Sequence, residues 1–117
     1  MNDKTYQMTM LFDFFGDLLT AKQREYFDLY YNQDLSLSEI AENVGITRQG
    51  VYDIIFRAEN TLIEIENKTG IVRRFAEMRA DIDNAARYVD EIGQLFPDGR
   101  ATELVAKLNV LFENMKG

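Results

Sequence analysis

Apolar residues recur along the chain at spacings of three and four, the period of an amphipathic helix. Met8, Leu11, Phe15 and Leu18, widened by Phe14, predict a first helix over about Thr5 to Leu18. Thr20-Ala21-Lys22-Gln23 has the form of a capping box, in which the hydroxyl and the Gln23 amide satisfy backbone groups left open at a helix start. The second helix runs from it to about Tyr31, and Asn32-Gln33-Asp34 is a polar loop. Ser36-Leu37-Ser38-Glu39 is a second capping box, with Leu35 and Ile40 at the positions of a hydrophobic staple, and its short helix ends near Val44. Gly45 then turns the chain at low steric cost, and Thr47 is placed to cap a fourth helix, with Ile46 and Val51 as its staple.

The fourth helix continues to about Asn67, because Val51, Ile55, Ala58, Leu62 and Ile65 repeat at four, three, four and three, a heptad seam. Lys68-Thr69-Gly70 ends it, and a fifth helix carries the same alternation through Ile71, Phe75, Met78, Ile82, Ala85, Val89 and Ile92. After the turn at Pro97, a last helix has Leu104, Leu108, Leu111 and Met115 on one side. The fold class predicted is all-α: a bundle of about six helices with long C-terminal helices, built around a helix-turn-helix at residues 36–57. Residues 1–67 form the helical part that contains this motif, and 68–117 form a helical hairpin that packs on the first part or forms a dimer interface. The two heptad seams leave open an intramolecular hairpin or a symmetric homodimer. The amount of apolar stripe on the first, fifth and last helices favours the dimer.

Composition narrows the function more than the fold. With 117 residues, 46% of them hydrophobic, eight Phe and six Tyr, the chain can bury a core as one ordinary domain. It has no Cys and no His, which removes disulfides, thiolate metal sites, cysteine nucleophiles and the commonest general base. No catalytic residue, metal ligand, cofactor or small-molecule substrate is nominated. Acid pairs such as Asp81 with Asp83, or Glu64 with Glu66, lack a Gly-punctuated loop of oxygen ligands and read as surface charge. The start, Met1 to Tyr6, is polar, and Asp13 and Asp17 break the apolar stretch after it, so neither an export signal nor membrane insertion is expected and the location predicted is cytoplasmic. The net charge of −7 falls on the first part: residues 1–67 hold five Lys/Arg against twelve Asp/Glu, residues 68–117 eight of each. A protein that grips duplex DNA by neutralising phosphates shows the opposite local sign, which counts against strong DNA binding.

From Leu37 to Ile54 the positions that packing restricts in a helix-turn-helix hold suitable residues: Ala41 where two helices cross, Gly45 in the turn, and Ile40, Val44, Ile46, Val51 and Ile54 as the apolar lock. The run from Leu11 to Arg57 resembles the YlxM family, small bacterial proteins associated with the signal recognition particle, whose helix-turn-helix looks like region four of sigma factors. The resemblance lies in Leu11-Phe12-Asp13-Phe14, Leu18-Leu19-Thr20, Lys22-Gln23, Leu29-Tyr30-Tyr31, Asp34-Leu35-Ser36-Leu37, Glu39-Ile40-Ala41, Arg48-Gln49 and Val51-Tyr52-Asp53. Beyond Arg57 only helical character matches.

The resemblance implies a non-catalytic regulatory module that binds the RNA or the protein of the signal recognition particle. The alternative is a sequence-specific DNA-binding transcription regulator, whose dimer would set two helices into successive major grooves. It also implies that Thr47, Arg48, Gln49, Tyr52 and Asp53 face the nucleic acid. Arg48 suits guanine or phosphate, Gln49 suits adenine, Tyr52 can stack on an unpaired base, and Asp53 opposes them. Lys22, Arg24 and Arg57 are the nearby cations for a phosphate backbone. A plainer reading makes Arg48 and Gln49 solvated first-turn residues. Tyr26, Tyr30 and Tyr31 read as packing rather than a stacking platform, and Arg73, Arg74, Arg79 and Arg87, interleaved with acids, as a solvated face.

Overall fold

Side-chain caps set most of the helix starts. In the computed structural model, which describes residues 3–117, Thr20 accepts from the Gln23 N–H at 3.2 Å while its own N–H donates to Gln23 Oε1 at 3.0 Å. Met1 and Asn2, at the head of the polar start, lie outside the described residues. Ser36 and Glu39 form the same reciprocal pair at 3.1 and 3.0 Å, Thr47 Oγ1 accepts from the Gly50 N–H at 3.0 Å, and Asp98 accepts from Ala101 at 2.8 Å. A cap of this kind is worth about 1 kcal/mol. Glycines in the left-handed region, Gly45 at φ 76° and Gly70 at φ 61°, end the third and fourth helices.

The helices so bounded are α1 (Asp3–Phe15), α2 (Ala21–Tyr31), α3 (Leu37–Val44), α4 (Arg48–Thr69), α5 (Ile71–Leu95) and α6 (Gly99–Met115), with a 3-10 turn at Gly16–Leu18. The fold is all-α, as expected. The first helix stops short of the span its apolar spacing suggested, because its last turn tightens at Gly16–Leu18. The Phe12 ring packs over Gly16 in that turn, 3.2 Å from where a Cβ on residue 16 would stand. The tighter turn rotates Leu18 outward, 67% exposed, and Leu19 takes its place in the core.

The chain divides into two compact units, residues up to 72 and from 73 onward. In the first, α4 is the central element, packing against α1, α2 and α3. One half of its core joins Met8, Leu11, Phe15, Leu19, Phe27, Ala58 and Leu62, and the other joins Tyr26, Ile40, Ala41, Val51 and Ile55. Phe27 is fully buried, stacked on Phe12 at 4.8 Å and tilted against Tyr31 at 4.5 Å. The tyrosines of α2 thus serve packing. The seam of the fourth helix, left open between a hairpin partner and a second subunit, is filled inside this unit: Val51, Ile55, Ala58 and Leu62 are buried against the first three helices.

The second unit is an antiparallel hairpin of α5 and α6. Asn109 donates to Asp90 at 3.0 Å and Lys116 pairs with Asp83 at 2.6 Å. At Gly93 the helices approach so closely that an added Cβ would meet Val105 Cγ2 at 2.8 Å. Among the described residues of α5 and α6, Ile82 alone is buried. None of the described helices is long and apolar enough to cross a membrane.

Candidate nucleic-acid interface

The corner between α3 and α4 is three residues, Gly45-Ile46-Thr47. The N–H groups of Gly45 and Ile46 both donate to the Ala41 carbonyl, at 2.9 and 3.3 Å, which closes the end of α3. Thr47, in extended backbone, then opens α4. Beneath the corner, Ile40, Ala41, Val51 and Ile55 pack on Tyr26, so the angle between the two helices is held by buried apolar contact. Ile46, assigned from sequence to that apolar lock, is 40% exposed. It leans over the first turn of α4 instead, with Cδ1 at 3.4 Å from the place of a Gly50 Cβ.

Arg48 is exposed at the first position of α4 and, among the described residues, makes no hydrogen bond or ion pair. Its five donors are therefore open to a ligand, at a helix end where the backbone dipole also favours anions. Gln49, next to it, is held: its Nε2 donates to Asp53 Oδ1 at 2.9 Å. That bond uses one of the two amide hydrogens that could donate to an adenine, and it holds Asp53 against Gln49. The Thr47 hydroxyl is engaged as the cap, one of its two lone pairs accepting from Gly50. Tyr52 is 45% exposed and lies nearly parallel to Phe56, 47% exposed, with ring centres 5.8 Å apart and planes 12° apart.

The other nominated cations are placed differently. Arg57 is exposed but stands nine residues beyond Arg48, about half a turn around the helix at 3.6 residues per turn. Lys22 and Arg24 sit in the first turn of α2, both exposed, and Arg24 lies 3.4 Å from Asp17. Among the described residues no bond joins either of them to Arg48, Gln49 or Tyr52. The contacts on this stretch of α4 join Gln49 to Asp53 and Tyr52 to Phe56, beside the exposed Arg48. Phe56 joins Tyr52 there, a position that the sequence reading did not include. Its signal was there, since Ile55 already fills the seam and leaves Phe56 an aromatic residue with no place in it.

This face belongs to an acidic body. Residues 3–72 carry six Lys/Arg against twelve Asp/Glu, so Arg48 is a local cation in a net charge of −6. A polar cleft of about 420 Å³ lies at the start of α1, lined by Lys4, Tyr30, Tyr31, Asp34, Ser36 and Glu39 among others. Two of its charged groups are engaged in structure: Lys4 pairs with Glu59 at 3.3 Å, and Glu39 closes the capping box, where the Ser36 backbone N–H and hydroxyl hold its carboxyl below the usual carboxylate range. Burial, and then the charge and hydrogen bond of Glu59, push the Tyr31 hydroxyl well above its ordinary value.

Residues 2–92 match the model of the UPF0122 family, YlxM/p13-like helix-turn-helix proteins. A UPF0122 protein of Thermoanaerobacter sp. (strain X514) is 41% identical over 108 residues, 92% of each chain. One from Clostridium kluyveri is 39% identical over 113 residues, 97% of this chain and 99% of its own, and one from Geobacillus kaustophilus is 40% identical over 111 residues, 95% and 99%.

Proposed function

Because the chain belongs to the UPF0122 family of YlxM/p13-like helix-turn-helix proteins, we propose that it is a non-catalytic regulatory module that binds the signal recognition particle through its RNA and so tunes protein export. The observation that carries this reading is an exposed, unengaged Arg48 followed at i+4 and i+8 by the stacked rings of Tyr52 and Phe56, along the first two turns of one helix face. An arginine and open aromatic surface suit unstacked bases and looped phosphates. The acidity of the rest of the unit disfavours a long track of duplex phosphates, where counterion release supplies affinity. The link to the particle rests on the likeness of residues Leu11 to Arg57 to the YlxM proteins.

The helix-turn-helix corner itself supports a second reading, sequence-specific binding to duplex DNA as a transcription regulator. One set of experiments separates the two. Purified particle RNA is expected to retain the chain at physiological salt, Arg48→Glu with Lys22→Glu to weaken retention at least tenfold, and selection from random duplexes to return no preferred site. A chain that ignores the particle's RNA and protein yet enriches a palindromic duplex would reject the first reading in favour of the second.

A further inference from the structure

The hairpin of α5 and α6 is a half-built bundle. Its two cross-helix polar bonds, Asp90 with Asn109 and Asp83 with Lys116, lie on one flank. Helical spacing from those positions puts Met78 and Ile92 of α5, and Leu104, Leu108, Leu111 and Met115 of α6, together on the opposite flank. All six are exposed, 52% and 55% on α5 and between 39% and 56% on α6. A two-helix unit with a single buried residue has almost no core of its own, and small units of this size need a second layer.

We propose that this flank is covered by the same flank of a second copy of the chain, so that two hairpins close into a four-helix bundle about a twofold axis. Three features select a second copy. The area is right: six large side chains of roughly 180 Å² each, about half exposed, offer on the order of 500 Å² of apolar surface. That equals the apolar share of one partner's contribution to a standard homodimer interface, about two thirds of some 800 Å². The spacing is right: Leu104, Leu108, Leu111 and Met115 fall at four, three and four, the repeat by which long helices pack side by side in bundles rather than receive a short extended peptide. The charge is right: residues 73–117 hold seven Lys/Arg against eight Asp/Glu, nearly neutral, so two copies meet without the repulsion that a strongly charged face would impose on itself.

The test is the mass of the chain in solution and its response to charge on each flank. Light scattering at tens of micromolar is expected to give twice the 13.6 kDa of one chain, with a melting temperature that rises with protein concentration. Leu111→Glu with Leu104→Glu is expected to return the mass to one chain and abolish that concentration dependence. Val110→Glu, at a position 61% exposed on the back of α6, away from the Leu104–Met115 flank, leaves the dimer intact. A mass of 13.6 kDa for the native chain up to 100 micromolar overturns the proposal. So does a dimer that survives the paired substitution, because the interface then lies elsewhere. Since the native mass decides the matter without any variant, a misfolded Leu111→Glu chain does not rescue it.

Discussion

Gly45→Ala isolates the energy of the helix-turn-helix corner. Gly45 holds φ 76°, and a Cβ built there meets nothing within 4 Å. The substitution therefore adds no clash, and its whole effect is conformational. Placing an L-residue in the left-handed region costs about 1–2 kcal/mol. The smaller freedom of alanine in the unfolded chain returns about 0.4–1 kcal/mol of this. The net loss is about 1 kcal/mol, which for a unit of this size lowers the melting temperature by roughly 4–8 °C. D-alanine at the same position reverses the sign: its preferred backbone is the one Gly45 already adopts, so only the unfolded-state term remains and the chain gains about 0.4–1 kcal/mol. Urea unfolding followed by helical circular dichroism, on chains made by ligation, measures both. If the two enantiomers shift stability in the same direction, the cost is not backbone handedness and the left-handed corner is wrong.

Two further predictions address the two units separately. Phe27→Ala, which removes a fully buried ring packed against Phe12 and Tyr31, is expected to destabilise the chain by about 3–5 kcal/mol; a loss below 1 kcal/mol in urea unfolding would mean that α2 does not sit where described. In the hairpin, the hydrogen bond from Lys116 holds the Asp83 carboxyl below its ordinary value of 3.8, with Arg79 and Arg87 adding to the effect. A carboxylate depressed in the folded state contributes stability that is complete above its unfolded value and is lost as pH falls through the folded one. Carbon-detected titration should therefore find Asp83 below 3.8 and find it raised in Lys116→Met; an unmoved midpoint in that variant removes the pairing.

Local chemistry made much of this structure readable. The boxes at Thr20 and Ser36, the Thr47 cap and the glycines at 45 and 70 are short-range arrangements, and each forms as its residues require. Periodicity gave α4 its buried stripe but was silent on what the stripe meets. A 3.5-residue repeat satisfies a coiled partner and a set of short crossing helices equally well, and here α1, α2 and α3 occupy it. The end of α1 misled for a related reason: helical spacing assigns Leu18 to the core only if the turn stays α-helical, and here it tightens to a 3-10 turn at Gly16–Leu18. On the candidate face, residue type alone is what proposes Arg48 and Tyr52. The Gln49 to Asp53 bond, the outward rotation of Ile46 and the half-turn between Arg48 and Arg57 depend on side-chain geometry that a residue list lacks.

The grip of three helices on α4 has a consequence for any partner. Buried positions run from Val51 to Leu62, directly behind the turn that displays Arg48, so the backbone at the contact surface is rigid before an encounter. Docking then freezes a few rotamers, at about 0.5–1.5 kcal/mol for each long side chain, and folds no peptide segment. Association should accordingly follow single-step kinetics, with a heat-capacity change no larger than rigid surfaces produce when they meet.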